Sequence, residues 1–244
     1  IKTPGIYMDI MGNKATAYGF IAAAEKAGLK LFLGSYPITP ATDVLHELSK
    51  HKSLGVITVQ CEDEISGCAT AIGASFAGAL AVTTTSGPGV CLKSEAMNLA
   101  VITELPLVVL DVQRGGPSTG LPTKSEQTDL LQALFGRNGE SPMPVIAATS
   151  PTNCFDAAYA ACKMALEHMT PVVLLTDGFV ANGSGSWKLP NLDTYPEIKP
   201  QYVTPEMKDN YTPYKRNPEN QVRYWAVPGQ EGYTHILGGL EKDS

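Results

Sequence analysis

Residues 80–112 read LAVTTTSGPGVCLKSEAMNLAVITELPLVVLDV. The segment opens on an apolar, β-branched run over 80–85 and turns through Ser86-Gly87-Pro88-Gly89. It continues with helical spacing over 90–103 and ends in a second apolar run, 107–112. Strand, helix and strand in close succession form the repeating unit of a parallel sheet. Outward from this stretch the same alternation continues. Upstream, helices are expected over 15–26, 42–50 and 64–77, with strands at 31–33 and 55–59. Downstream, helices are expected over 125–135 and 153–169, with strands at 145–147 and 172–176. Asn13 is placed to cap the first helix and Gly28 to stop it. Six strands alternating with six helices predict an α/β three-layer sandwich: a six-stranded, mostly parallel sheet with helices on both faces. Such sheets bind ligands in the loops at the carboxyl ends of their strands.

Composition narrows the function classes. The chain has 244 residues, 43% hydrophobic and 17% charged, which is globular usage. Lys plus Arg number 18 against 24 Asp plus Glu, a net charge of -6, so the basic footprint of a nucleic-acid binder is missing. The apolar runs are too short to span a bilayer and no leader pattern opens the sequence, so a soluble, cytoplasmic protein is expected. Five cysteines without a CxxC, and four histidines without HxxxH or HExxH, give no metal or iron–sulfur site to this chain. Residues 1–180 read as the α/β domain. Residues 181–244 hold seven of the 18 prolines and no sustained helical period. They read as an extended arm, lying on this domain or a partner and leading towards a following domain absent from the chain. The start at Ile1 suggests one piece of a longer polypeptide.

Four loops carry the candidate chemistry. In Gly34-Ser35-Tyr36-Pro37-Ile38-Thr39-Pro40, two prolines restrict the backbone and direct Thr39 at the sheet edge. The plainer alternative makes Thr39-Pro40 a helix cap with proline at the first helical position. In Gln60-Cys61-Glu62-Asp63-Glu64, three acids precede a helix and could merely complement its dipole. That helix is small on nearly every side (Gly67, Gly73, Ala74), so it is expected at an interface, with Glu64 as a buried working acid. Thr83 to Gly89 offers backbone amides to an anion, although the dinucleotide fingerprint lacks its third glycine. Arg114, within the Gly-rich loop Asp111 to Lys124, can fork onto a carboxylate. Otherwise it caps carbonyls or pairs with Asp111 or Glu126.

Taken together, these loops resemble the α subunit of 2-oxoacid:ferredoxin oxidoreductases, the 2-oxoglutarate enzymes in particular. The likeness rests on Tyr36-Pro37-Ile38-Thr39-Pro40, the Glu64 helix, Thr85-Ser86-Gly87-Pro88-Gly89 and Gln113-Arg114-Gly115-Gly116-Pro117-Ser118-Thr119-Gly120-Leu121-Pro122-Thr123. Trp225-Ala226-Val227-Pro228-Gly229 and Gly238-Gly239-Leu240-Glu241-Lys242 fit the family's link to its next domain. The resemblance implies a pyrimidine-binding domain for thiamine diphosphate. Glu64 would hydrogen-bond the aminopyrimidine nitrogen, and Pro37, Ile38, Thr39, Ser86 and Gly87 would complete the cofactor contacts. Thr39, Arg114, Ser118 and Thr119 would hold the 2-oxoacid. The implied reaction is oxidative decarboxylation, with coenzyme A accepting the acyl group and ferredoxin the electrons. The GDG…N signature of the diphosphate site is missing, and Thr176-Asp177-Gly178 is only superficially like it. Mg2+ and the iron–sulfur cluster are therefore expected on partners: a β subunit, γ and ferredoxin-like δ subunits in an α2β2-type assembly. The chain should not turn over alone.

Two other classes compete. Gly73-Ala74-Ser75-Phe76-Ala77 nearly matches the GxSxG of serine hydrolases, with Asp177 and His235 following in chain order, but Ser75 falls inside an expected helix. A non-catalytic nucleotide-binding or scaffolding α/β subunit would give Glu64 no task.

Overall fold

A computed structural model describes residues 3–238. The last four residues of the motif 238–242 therefore lie outside the described residues. The stretch quoted first forms β4 (Leu80–Thr85), α4 (Gly87–Ile102) and β5 (Leu107–Gln113). Around it are β2 (Leu31–Ser35), α2 (Thr42–Leu48), β3 (Val56–Gln60) and α3 (Glu64–Phe76). After it come α5 (Leu130–Phe135), β6 (Val145–Ala147), α6 (Asn153–His168) and β7 (Pro171–Asp177). The sheet order is β3-β2-β4-β5-β7-β6, and every pair in it is parallel. In register, Val82 lies opposite Val108 and Val109 opposite Val173. All residues of β4, β5 and β7 are buried, which is why these strands read as unbroken apolar runs. One face of the sheet packs against α1 (Gly12–Ala27), α2 and α6, the other against α3, α4 and α5. The six-stranded α/β sandwich is as expected.

Three local expectations differ. Asn13 does not cap α1, which starts one residue earlier. Its side chain is buried and donates from Nδ2 to the Pro40 carbonyl at 2.9 Å, a tertiary bond that outcompetes the local cap. Gly28, at φ 66°, does end the helix. The helix expected over 125–135 is confined to Leu130–Phe135. Residues 125–129 are held out of it, because Asp129 N donates to Gln113 Oε1 (3.0 Å) and Gln127 Nε2 to Asp177 Oδ2 (2.7 Å). The third difference is an additional two-stranded antiparallel ribbon, β1 (Tyr7–Met11) with β8 (Ser184–Lys188). The short helix α7 (Gly178–Asn182) leads into β8, so the proline-rich tail begins with regular structure.

Beyond β8 the tail is irregular apart from short 3-10 turns at Leu192–Thr194 and Pro205–Met207. It folds back onto this domain. Trp225 is fully buried and stacks on Tyr202, their rings 5.6 Å apart and 5° from parallel. Arg223 donates to the carbonyls of Glu104 (2.9 Å) and Pro213 (3.0 Å), and Arg216 pairs with the Glu104 carboxylate. The cysteines are free thiols, and burial pushes Cys68 and Cys154 up to about 11. Among the described residues no helix is long and apolar enough to cross a membrane.

The α1–α6 crossing yields a stability prediction. A Cβ at Gly19 would sit 2.4 Å from the Phe155 carbonyl and 2.8 Å from the Ala158 methyl, whereas Gly73 has open space around it. Gly19→Ala should lower stability in urea unfolding by about 1–3 kcal/mol, the usual cost of overpacking. Gly73→Ala should raise it by roughly 0.5–1 kcal/mol through helix propensity. Equal effects from the two would contradict this packing.

Candidate functional site

The sheet order sets where a ligand crevice can open. The chain leaves β2 towards β3 on one side and leaves β4 towards β5 on the other. Adjacent strands whose connections diverge leave a gap at their carboxyl ends. Across that gap the Ser35 and Thr84 hydroxyls are hydrogen-bonded to each other, and Tyr36 Oη bonds Thr85 Oγ1 at 2.8 Å. Burial raises the Tyr36 hydroxyl above its ordinary range, and the neighbouring Glu64 carboxylate pushes it the same way. Tyr36 is thus a neutral group poised between Glu64 and Thr85.

The first turn of α4 closes on this group. A Cβ at Gly89 would lie 2.0 Å from Thr85 Oγ1, 2.2 Å from the Tyr36 hydroxyl and 3.2 Å from Glu64 Cγ. Only glycine fits there. Ser86 stands at the N-cap of α4 but makes no capping bond, and its buried hydroxyl has no partner among the described residues. Lys93, on the second turn, is buried with its Nζ donating to the Glu64 carbonyl at 2.9 Å and to Thr83 Oγ1 at 3.0 Å.

The three acids of the α3 entry divide their work. Asp63 is the N-cap: its Oδ1 accepts from Ser66 N at 2.8 Å, and Ser66 Oγ accepts in return from Asp63 N. These bonds hold the Asp63 carboxyl below its usual range. Glu62 and Asp63 are exposed; Glu64 is half-buried rather than buried. The expectation of burial is corrected: among the described residues, α4 approaches Glu64 from within at Gly89 and Lys93, and its outer side stays open.

A second group lines a cleft of about 380 Å³ between the start of α4 and the arginine loop. Its walls include Gly87, Pro88 and Cys91 on one side, and Arg114, Ser118, Thr119 and Asp129 on the other. The Arg114 guanidinium is buried and donates to two carbonyls, Thr39 at 2.7 Å and Thr119 at 2.6 Å; its Nε has no partner among the described residues. Of the alternatives for Arg114, carbonyl capping is what this chain displays. Glu126 instead accepts from Gly116 N at 2.7 Å, and Asp111 pairs with Asp129. Thr39 is exposed and joins the arginine through its main chain. It does not cap α2, which begins at Thr42, whose hydroxyl accepts from Ile38 N at 2.8 Å. Pro37 is exposed and Ile38 half-buried. The structure therefore joins Glu64 and Ser86 to the Tyr36 cluster, and Arg114, Ser118, Thr119 and Gly87 around the cleft.

Sequence reasoning passed over Tyr36, Thr85 and Lys93, and the carboxyl pair Asp111–Asp129. Lys93 follows Gly89 by four residues and so shares its helix face. Asp111 interrupts the otherwise apolar Leu107–Val112, a sign of a buried acid. Burial holds Asp111 protonated well above the usual aspartate range, reinforced by the charge of Asp129; burial also raises Asp129. With its proton retained, Asp111 can donate to Asp129. The hydrolase geometry is absent: Ser75 lies inside α3 and donates to the Pro106 carbonyl at 2.7 Å, while Asp177 caps α7.

Comparisons with known proteins point to one family. Residues 22–241 match the family described as pyruvate flavodoxin/ferredoxin oxidoreductase, thiamine diphosphate-binding. The 2-oxoglutarate oxidoreductase subunit KorA of Mycobacterium tuberculosis is 57% identical over 98% of this chain and 36% of that protein. The 2-oxoglutarate synthase subunit KorA of Archaeoglobus fulgidus is 42% identical over 75% of this chain and 52% of that one. The chain thus spans only a part of these relatives. The solved 2-oxoglutarate:ferredoxin oxidoreductase from Magnetococcus marinus, with 2-oxoglutarate, coenzyme A and succinyl-CoA bound, superposes with a TM-score of 0.90. It is 36% identical, over 99% of this chain and 41% of that one.

The carboxyl pair makes a pH prediction. Asp111 binds its proton more tightly in the folded than in the unfolded chain, so its contribution is full at pH below the ordinary 3.8. That contribution is lost as pH rises through the raised value. Asp111→Asn keeps a donor towards Asp129 without a titrating proton. The wild type should therefore lose urea stability relative to Asp111→Asn as pH rises from about 4 towards 8. A difference that stays flat over this range would rule out the shared proton.

Proposed function

Because the chain belongs to the pyruvate flavodoxin/ferredoxin oxidoreductase family through its thiamine diphosphate-binding domain, we propose that it forms the pyrimidine-binding half of a 2-oxoacid:ferredoxin oxidoreductase. Residues 1–180 make that domain and the tail leads towards a further one. The favoured substrate is 2-oxoglutarate, oxidatively decarboxylated with acyl transfer to coenzyme A. The observation that carries this is the convergence of Glu64, Tyr36 and Thr85 on the side-chain-free turn at Gly89. The residues fit the cofactor's pyrimidine: a half-buried carboxylate for a ring nitrogen, an unpartnered buried hydroxyl at Ser86, and a turn kept clear at Gly89. When bound, thiamine diphosphate supplies the nucleophilic carbon and stores the electrons left when carbon dioxide departs.

This chain's residues then have distinct tasks. Glu64 holds a proton at the pyrimidine nitrogen, and the neutral Tyr36 hydroxyl orients the Glu64 carboxylate. Pro37, Ile38, Thr39, Ser86 and Gly87 bound the ring. Arg114, in the wall of the cleft, would meet the 2-oxoacid carboxylate, assisted by the hydroxyls of Thr39, Ser118 and Thr119. The two carbonyls that grip Arg114 fix its plane, which is what a directional pair with a carboxylate needs.

The other half of the site belongs to partners. A β subunit would bring the diphosphate, its Mg2+ and the iron–sulfur cluster, in an α2β2-type assembly with γ and δ subunits and ferredoxin as acceptor. The face it would cover is apolar: Ile65 on α3 and Leu92 on α4 are each 55% exposed, and Phe135 on α5 75%. Gly73 and Ala74 add small residues to the outer side of α3, and the tail leaves Gly73 open.

The test is reconstitution of the full α and β chains, assayed for ferredoxin reduction by a panel of 2-oxoacids. Ferredoxin reduction should require both chains and be strongest with 2-oxoglutarate. Glu64→Gln should slow hydrogen–deuterium exchange at the cofactor's thiazolium carbon by roughly 100-fold or more, whereas Glu62→Gln should change it little. Arg114→Lys should lower kcat/KM for the 2-oxoacid by about 10-fold or more while cofactor affinity holds, since lysine lacks the planar fork. Equal loss of both affinities would count against a substrate role for Arg114.

A further inference from the structure

Lys93 has no exposed surface, yet both of its hydrogen bonds go to uncharged oxygens, the Glu64 carbonyl and Thr83 Oγ1. The Tyr36 ring covers a further side, its centroid 5.1 Å from Nζ. A cation so placed is costly, and an apolar side chain of equal length commonly serves stability better. Desolvation lowers its pKa, opposed by the surrounding Cys68, Glu64, Cys61 and Asp63. Lys93 cannot touch a ligand itself, because the chain already encloses it.

Its bonds instead link the elements that build the candidate site. From α4 the side chain reaches β4 at Thr83, the first residue of α3 at Glu64, and the β2–α2 loop at Tyr36. The Asp63–Ser66 capping box fixes the outer side of the α3 entry, and Lys93 grips its main chain from within. Glu64 is half-buried with its carboxylate free of any ion pair among the described residues. Its position is therefore set by its own backbone and by Tyr36, and both are held by Lys93.

We propose that Lys93 is a positioning residue, whose ammonium pins the first turn of α3 to β4 and so fixes the Glu64 carboxylate against Tyr36 and Thr85. The role rests on the acid function proposed for Glu64 above. Because the grip is on the main chain, its loss should move Glu64 without removing any group that binds cofactor.

The experiment uses the assembled α/β enzyme carrying Lys93→Met, Lys93→Gln, Glu64→Gln, or Lys93→Met with Glu64→Gln. Amide hydrogen exchange over residues 61–68 reads the turn directly. It should quicken by about 10-fold or more in Lys93→Met, since local opening controls such protection. Exchange of the thiazolium proton should slow by roughly 10–100-fold, the scale of a misplaced acid–base group, while thiamine diphosphate affinity changes by less than about threefold. On the Glu64→Gln background, Lys93→Met should add no further slowing, because the two act as one unit. Unchanged amide exchange in the turn, or a full additive loss in the double variant, would overturn the proposal. So would failure of both Lys93 variants to assemble, which marks a scaffold role only. If Glu64→Gln itself leaves thiazolium exchange intact, the acid assignment falls, and the amide exchange still decides whether Lys93 pins the turn.

Discussion

Where the first turn of α4 passes Thr85, Tyr36 and Glu64, a single methyl group has no room, since a Cβ at Gly89 would overlap two hydroxyl oxygens. That close approach fixes the distance between α4 and the ends of β2, β4 and α3. The register of β2 on β4, with Gly34 opposite Thr83, brings Tyr36 and Thr85 together, and the helix backbone closes over their hydroxyls. The parallel sheet supplies the strand ends, and the divergence of its connections between β2 and β4 supplies the gap. The glycine turns that gap into a site with a floor. A fold that placed the same residues around an alanine would have to withdraw α4, and with it Lys93 and the start of α3.

The arginine loop obeys a different constraint, that of buried charge. Arg114 is largely enclosed and has no carboxylate partner among the described residues, so its cost is offset by two charge-assisted bonds to the Thr39 and Thr119 carbonyls. Those carbonyls belong to two separate loops, so satisfying the cation ties the loops together. At the base of the same loop, Asp111 precedes it on β5 and Asp129 follows it; burial raises both carboxyls, and the charge of Asp129 adds to the shift at Asp111. The Gly115–Leu121 bridge and the Gly116–Glu126 bond shape the segment between. The walls of the cleft are consequently ordered before any ligand arrives, which favours recognition by limiting the entropy lost on binding.

The sheet was legible because β4, β5 and β7 are buried on both faces and must be apolar throughout, a signal that periodicity detects directly. Glu64 stood out as a candidate because the small residues after it are unusual in number, and Arg114 because a glycine-rich loop frames it. The misses share a cause: each depends on a partner distant in sequence. Asn13 looks like a cap until Pro40 takes its amide. Residues 125–129 carry helical spacing that Gln113 and Asp177 override from 16 and 50 residues away. The β1–β8 ribbon joins Tyr7–Met11 to Ser184–Lys188, strands far apart in sequence, with short mixed sequences that carry no strong alternation. Lys93 in a polar position of a helix reads as solvated until the fold wraps three elements around it. Burial near a strand end was readable; the identity of the hydrogen-bond partner was not.

The half-burial of Glu64 and the apolar outer faces of α3, α4 and α5 are two aspects of one geometry. α3 opens at the surface beside exposed Ile65, and α4 turns Leu92 and Leu99 outward. Apolar side chains left in water at these positions cost free energy unless another surface covers them. A surface that covered Ile65 would also enclose the neighbouring carboxylate, since Glu64 and Ile65 are consecutive residues at the mouth of the same helix. The proposed partner subunit would then do both at once, burying the apolar face for affinity and desolvating the acid for chemistry. Assembly and activation of the site would be coupled through a single contact, and the chain by itself would retain a preformed but open half.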